Sequence, residues 1–157
     1  MTSPLAHITN YTTPDFTLNG LNTICKVLDA YDADTVTVGI ELRGFGITKI
    51  TCRLLGIDTP EMRGGTDHSK HLAICARNRL IYIVSGVMLD NDTKYSREYI
   101  RGKLDSSRKL MRCMFGNTDK YERHLITLYD EYGINVNELL ITEGHAKKYE
   151  GGKKEGW

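Results

Sequence analysis

The sequence predicts a small barrel of five β-strands accompanied by helices, an α+β fold, and three observations support this. A chain of 157 residues is long enough for one domain with a real core but short for two. Residues 35–42, TVTVGIEL, alternate apolar and polar side chains, which is typical of a half-buried strand. Three strand-like segments precede the first helical pattern and two follow it. That order favours a barrel over a parallel sheet with crossover helices.

The first three strands are predicted to form a meander. Residues 24–28 (ICKVL) have the apolar, β-branched composition of a strand, and DAYDAD (29–34) is predicted to turn the chain into the alternating strand 35–42. After a second turn, residues 47–58 (ITKITCRLLGID) predict a third strand, ended by Pro60. Short turns between consecutive strands indicate antiparallel neighbours.

The pattern changes to helical spacing after the third strand. Apolar residues recur at intervals of three and four, which predicts an amphipathic helix over 68–84 with Asp67 as its N-cap. Residues 87–108 are polar and give no clear period, although 96–104 (SREYIRGKL) favours a short helix.

The last elements complete the barrel. Residues 109–115 and 124–130 predict two further strands, and 135–144 predicts a helix capped by Asn135. The closing residues, HAKKYEGGKKEGW, are basic and glycine-rich, and we expect them to form a surface segment. Five strands with these helices favour the oligonucleotide-binding (OB) barrel.

Charge is distributed unevenly although the net charge is only +1. Residues 1–60 carry four Lys or Arg against six Asp or Glu, and residues 94–123 carry nine against four. An acidic N-terminal part and a basic central part are consistent with a cation site beside an anion-binding surface. Two solvent-exposed faces without a function would have the same composition. The first 20 residues predict a flexible tail with no signal peptide, and no segment predicts a membrane span.

Four cysteines, at 25, 52, 75 and 113, are separated by long intervals and lie among apolar neighbours. The sequence has no CxxC pair and no histidine at the usual zinc spacing, so buried free thiols are predicted rather than disulfides or a zinc site. A reducing intracellular compartment is the localisation that this pattern favours.

Three carboxylates lie where strands end or turn: Asp34, Asp58 and Glu61. Clustered carboxylate oxygens suit a hard cation such as Ca²⁺ or Mg²⁺. Carboxylates at turns are also common as local caps, so a purely structural role stays open. Asp29 and Asp32 could equally be the functional pair.

Two arginines strengthen the case for chemistry. Arg53 lies within an otherwise apolar strand, where an arginine needs a partner, and Arg123 directly precedes a strand. Two guanidiniums beside a metal could hold a phosphodiester, whereas a structural ion pair of Arg53 with Asp58 or Glu61 is the alternative. Alternation places Arg53 and Asp58 on opposite faces, so their convergence requires a bend at Gly56.

Four ordered blocks resemble the staphylococcal nuclease-like (thermonuclease) family: DADTVTV (32–38), CRLLGIDTPE (52–61), TDKYERHL (118–125) and VNELLITEGHAK (136–147). The resemblance implies a five-stranded OB barrel with helices. It also implies a Ca²⁺-dependent nuclease that cleaves DNA and RNA with little sequence preference and leaves 3′-phosphate ends.

Position by position, the resemblance implies roles for the catalytic and metal-binding residues. Asp34 and Asp58 would bind Ca²⁺ through carboxylates and Thr59 through its carbonyl oxygen. Glu61 would orient or deprotonate the attacking water. Arg53 and Arg123 would hold the scissile phosphate.

The same resemblance implies substrate contacts. Lys120 and Tyr121 match a pair that grips a neighbouring phosphate. Tyr149 lies one position from the substrate-stacking tyrosine of the family. The resemblance also implies one domain over residues 21–157, in which residues 87–108 look like an insertion. We expect a monomer acting on DNA or RNA, with no membrane partner and no small-molecule cofactor. The alternatives are an inactive nucleic-acid-binding OB module and a protein-interaction domain.

Overall fold

The computed structural model describes residues 3–157, and this part of the chain contains a closed five-stranded barrel. The barrel strands are β1 (Asn22–Asp32), β2 (Thr35–Leu42), β3 (Gly46–Leu54), β5 (Met111–Thr118) and β6 (His124–Tyr129). The strand order around the barrel is β1-β2-β3-β6-β5, with a parallel pairing between β3 and β6 and antiparallel pairings elsewhere. The predicted OB-like α+β barrel is therefore confirmed.

Three α-helices accompany the barrel within residues 3–157: α1 (Asp67–Ser85), α2 (Arg97–Ser106) and α3 (Val136–Thr142). The predicted cap of α3 is confirmed, since the Asn135 side chain accepts a hydrogen bond from the Glu138 amide at 3.1 Å. The predicted cap of α1 is wrong by one residue. Thr66 is the N-cap and forms a reciprocal capping box with Ser69, which leaves Asp67 as the first helical residue.

Two predicted boundaries around the strands are also wrong. Residues 29–32 were expected in a turn but belong to β1, which has irregular pairing with β2 and reaches Asp32. The predicted third strand over 47–58 instead ends at Leu54. A turn at Leu55 and Gly56 follows, and a two-residue strand, β4 (Ile57–Asp58), pairs with β7 (Lys147–Lys148).

The barrel interior and the helices share one hydrophobic core. Its largest fully buried side chains include Leu54, Leu80, Ile100, Phe115 and Leu128, which come from strands and from two helices. All four cysteines are free, as predicted, and three of them are buried. Cys75 is only partly buried, because it lies on the face of α1 that is turned away from the core.

Partly buried polar contacts connect the segment 87–108 to the barrel. Asp29 on β1 accepts hydrogen bonds from Arg97 and Arg101 on α2, at 2.6 and 2.9 Å. Arg77 on α1 donates to the carbonyl oxygens of Tyr31 and Tyr95, at 3.2 and 3.0 Å. These bonds hold α2 against β1.

The predicted N-terminal tail begins at residues 1–2, which lie outside the described residues. Residues 3–17 are exposed, Leu18 joins the core, and the Gly20 amide donates to the Phe115 carbonyl at 2.8 Å. Among the helices of residues 3–157, none has the length and apolarity needed to cross a membrane.

Candidate active site

Arg53 lies between two buried carboxylates at one end of the barrel. Its Nη1 is 3.2 Å from Asp34 Oδ2 and its Nη2 is 3.4 Å from Asp58 Oδ1. Nη2 also donates to the Ile57 carbonyl at 3.1 Å. Since all three charged side chains are at most 8% exposed, their arrangement is fixed by mutual contacts rather than by solvent.

The backbone explains how residues from three segments meet here. Thr35 pairs with Arg53 across β2 and β3, and the Leu54 amide donates to the Asp34 carbonyl at 2.8 Å, so Asp34 lies beside the end of β3. The Thr59 amide donates to Asp34 Oδ2 at 3.0 Å, which closes the loop onto the same carboxylate.

The bend required at Gly56 is present. Gly56 has φ = +81°, a backbone conformation that glycine adopts without a steric penalty, and it reverses the chain between β3 and β4. This reversal brings Arg53 and Asp58 together even though simple alternation would separate them.

Asp32 adds a third carboxyl group to the site. It is buried, and its Oδ1 has no hydrogen-bond partner. Burial, together with the neighbouring Asp34 carboxylate, raises the pKa of Asp32 to about 8. Asp29 and Asp32, the alternative functional pair, have different surroundings in the structure: Asp29 is engaged with α2, whereas Asp32 lies next to Asp34.

The C-terminal residues form a surface segment, as predicted, and they also contact the candidate site. β7 pairs with β4, and the Tyr149 amide donates to the Gly56 carbonyl at 2.9 Å. The Tyr149 ring centroid is 5.5 Å from Arg53 Cζ, a cation–π distance. The Tyr149 hydroxyl donates to the Gly152 carbonyl at 3.0 Å, which holds the ring to the segment that follows.

Lys154 was not singled out from the sequence, yet it contacts two of the predicted site carboxylates. Its Nζ is 3.2 Å from Asp58 Oδ1 and 3.4 Å from Glu61 Oε1. Glu61 is itself 65% exposed, so among the charged groups of the described residues Lys154 connects it to the buried cluster. The repeated Gly and Lys of this segment carry no period that could have located the contact.

The other predicted substrate-binding residues form a second group in the loop between β5 and β6. Asp119 accepts hydrogen bonds from the backbone amides of Tyr121 and Arg123 and from Arg123 Nε, at 2.8–2.9 Å. Two cations lie near the Tyr121 ring, with Lys120 Nζ at 5.3 Å and Arg123 Cζ at 5.4 Å from its centroid. Glu122 adopts φ = +63° at the tip, and the loop is tight as a result.

The two groups are neighbours in the barrel but do not bond to each other in residues 3–157. Cys52 pairs with His124 and Arg53 with Leu125 in the parallel β3–β6 ladder, so Arg123 immediately precedes the residue beside Cys52. Arg53 faces the carboxylates, whereas Arg123 is turned to Asp119. The convergence of both arginines on one phosphate therefore stays a prediction.

Excess negative charge is the main electrostatic property of the first group. It contains four carboxyl groups, from Asp32, Asp34, Asp58 and Glu61, against two cationic side chains, from Arg53 and Lys154. At pH 7 Asp32, with its pKa of about 8, is largely protonated, so three carboxylates face two cations and one negative charge is uncompensated. A site of this composition favours a divalent cation held by oxygen ligands.

The sequence model of the staphylococcal nuclease homologue family matches residues 51–156, which span β3 to β7 and most of this site. The match covers more than half of the chain, and the chain belongs to this family. A nucleic acid is the substrate class that this nuclease family indicates. No curated protein matches the chain.

Proposed function

We propose that this chain is a Ca²⁺-dependent nuclease that hydrolyses phosphodiester bonds in DNA, RNA or both with little sequence preference. The observation that carries the proposal is the buried Arg53 guanidinium set between Asp34 and Asp58. A guanidinium held in this way supplies preorganised donors for a phosphate, beside carboxylates suited to a hard cation.

The residues fit a calcium ion on an observation independent of the family. The buried Asp32 Oδ1 lacks a partner, and burial, followed by the neighbouring Asp34 carboxylate, raises the pKa of Asp32. The carboxylates of Asp34 and Asp58 and the carbonyl oxygen of Thr59 would hold the ion. When bound, Ca²⁺ supplies Lewis acidity and a flexible oxygen-coordination shell that also accepts substrate and water.

Side chains of the protein activate the water and bind the phosphate. Glu61 orients the attacking water in line with the leaving 5′-oxygen and accepts its proton, a contribution typically worth ~10²–10⁴-fold in rate. Arg53 donates to the non-bridging phosphate oxygens as their charge grows. Because it is already fixed by Asp34, Asp58 and the Ile57 carbonyl, it loses little conformational freedom when it binds.

The second group supplies further phosphate contacts in this proposal. Arg123 would share the scissile phosphate with Arg53, and Lys120 and Tyr121 would grip a neighbouring phosphate. Tyr149 would stack against a sugar or base while its ring stays against Arg53. Cleavage of the bond to the 5′-oxygen leaves the phosphate on the 3′ end of the upstream fragment.

The direct test measures degradation of denatured DNA and of RNA with Ca²⁺ and with a chelator. We expect Ca²⁺-dependent fragmentation, and fragments that a polymerase extends only after phosphatase treatment, because their ends carry 3′-phosphate. If the protein binds DNA in a salt-sensitive way but does not cut it, the chain is a binding module and not a nuclease.

Glu61→Gln separates catalysis from binding. We expect the variant to bind nucleic acid as well as the parent protein does and to cut ~10²–10⁴-fold more slowly. Glu41→Gln is the matched control, since Glu41 is exposed at the far end of β2, opposite Ile47. Undiminished cutting by Glu61→Gln would remove Glu61 from the mechanism.

A further inference from the structure

Three donor atoms of different chemistry surround one point on the outer face of α1. His71 Nε2 is 3.6 Å from Asp92 Oδ1, and Cys75 Sγ is 3.7 Å from each of these two atoms. In residues 3–157 this is the single group of three His, Cys, Asp or Glu donors whose atoms all lie within 4.8 Å of one another.

The two contacts of Cys75 Sγ, at 3.7 Å, have the length of weak sulfur hydrogen bonds, whereas the 3.6 Å between His71 Nε2 and Asp92 Oδ1 is too long for a strong hydrogen bond. Strong hydrogen bonds of nitrogen to oxygen have lengths of about 2.7–3.2 Å. Zinc ligands at about 2.0–2.3 Å from a tetrahedral ion lie about 3.3–3.8 Å apart. The observed triangle is within a few tenths of an ångström of this second geometry, as expected for donors arranged around a shared ion.

The fold prepares each of the three positions. His71 and Cys75 are four residues apart on α1, so their side chains lie on one face of the helix. The loop that carries Asp92 is held against that same face by Asn78, one turn further along. The buried Asn78 Nδ2 donates to the carbonyl oxygens of Asp90, Asn91 and Thr93, at 2.8, 3.3 and 2.9 Å.

A second bond fixes the loop from its other side. The Asp90 amide donates to the Tyr95 hydroxyl at 3.0 Å. The position of Asp92 therefore rests on bonds made by its neighbours and does not depend on the attraction between Asp92 and His71.

We propose that His71, Cys75 and Asp92 form a zinc site distinct from the candidate active site. Imidazole, thiolate and carboxylate together suit Zn²⁺, whereas Ca²⁺ and Mg²⁺ favour oxygen ligands alone. The His71 and Asp92 side chains are 54% and 79% exposed, so water has access to the fourth coordination position. Bound zinc joins the loop 90–93 to α1 and restrains the start of the segment 87–108.

The test titrates the full chain with Co²⁺, a spectroscopic substitute for zinc, in reducing buffer containing Ca²⁺. We expect one equivalent of Co²⁺ to produce a thiolate-to-cobalt charge-transfer band, which Zn²⁺ then abolishes by displacement. We also expect Zn²⁺ to raise the thermal midpoint and to protect amides of residues 90–93 from hydrogen exchange. Absence of the band would overturn the site.

Four variants assign the ligands. Cys75→Ser should abolish the band, and His71→Gln and Asp92→Asn should each weaken Zn²⁺ binding by more than the ~10–100-fold typical of losing a residue that only hydrogen-bonds to a metal ligand. His68→Gln, an exposed histidine on the same helix and outside the cluster, should bind like the parent. Undiminished affinity in any of the first three would overturn the three-ligand site, and circular dichroism confirms that each variant is folded.

Discussion

Arg53 and Asp58 are five residues apart in the chain, and their side chains meet at 3.4 Å because the backbone reverses at Gly56. Arg53 belongs to the end of β3 and Asp58 to the two-residue strand β4. The contact therefore depends on a turn and not on the alternation of a single strand. The candidate site is sensitive to the conformation of that one glycine.

Gly56→Ala should impair both stability and activity. A Cβ at Gly56 meets no atom within 4 Å, so the effect comes from the left-handed backbone, at ~1–2 kcal/mol of unfolding free energy. We expect weaker nuclease activity as well, because Arg53 and Asp58 lose their fixed separation. Urea unfolding and DNA degradation measure the two effects.

Gly133→Ala is the matched control for Gly56→Ala. Gly133 also has φ = +81° and open space around its Cβ position, and it lies in the turn before α3. The same loss of stability with unchanged activity is expected. If the two variants lose activity equally, the activity loss at Gly56 reflects stability alone.

Asp34→Asn should lower activity, whereas Asp29→Asn should lower stability. Asp34→Asn removes a charge from the buried cluster, and we expect Ca²⁺-dependent activity to fall at least ~100-fold. Asp29→Asn loses charged bonds to Arg97 and Arg101 on α2, which we expect to lower the free energy of unfolding by ~1–2 kcal/mol and to leave activity unchanged. Calorimetric Ca²⁺ titration and urea unfolding distinguish them, and the reverse pattern would contradict the placement of both residues.

Much of the barrel could be predicted from local sequence. The alternation of residues 35–42 is a property of one strand half buried against a core, and Asn135 caps α3 through a bond three residues away. β1 was predicted too short because residues 29–32 have a turn-like composition. Asp29 can lie within the strand because it binds two arginines that are more than 60 residues away in the sequence. A local sequence pattern gives no information about such distant partners.

The candidate site was predicted in part. Asp34, Asp58 and Arg53 were found from residue type and family resemblance, and they do lie together. Lys154 and Asp58 lie far apart in the sequence, and the pairing of β7 with β4 brings them together. No local sequence pattern therefore marks Lys154 as a site residue. The sequence predicted no zinc site, because the third donor, Asp92, comes from an irregular loop whose position depends on Asn78.

Lys154→Ala should strengthen Ca²⁺ binding. The Lys154 ammonium lies against Asp58 and Glu61, where it competes with a cation for the same oxygens. Because its side chain is 39% exposed, we expect an effect of about two- to fivefold in the Ca²⁺ dissociation constant, equivalent to ~0.5–1 kcal/mol. Calorimetric Ca²⁺ titration measures it directly.

Lys153→Ala controls for the loss of one positive charge from the same segment. Lys153 is exposed and adjacent in sequence, so its removal changes net charge equally. If Lys153→Ala and Lys154→Ala shift Ca²⁺ affinity by the same amount, the direct contact of Lys154 has no role. A larger shift for Lys154 alone supports competition at the carboxylates.

Glu143→Gln should destabilise the fold in a pH-dependent way. Arg79 on α1 forms two hydrogen bonds with Glu143 at the end of α3, at 2.7 and 2.8 Å, and these bonds lower the pKa of the Glu143 carboxyl against the opposing effect of burial. A lowered folded-state pKa stabilises the protein above the unfolded pKa, near ~4.3, and the contribution disappears as pH falls through the folded value.

We therefore expect Glu143→Gln to lower the free energy of unfolding by ~0.5–1 kcal/mol at pH 7, limited by the partial exposure of the pair. The difference from the parent protein should shrink as pH falls below 4, because the parent loses the same charge by protonation. Urea unfolding at several pH values measures it, with the exposed Glu131→Gln as control. A difference that persists unchanged at pH 3 would mean that packing of the side chain, and not its charge, connects α1 to α3.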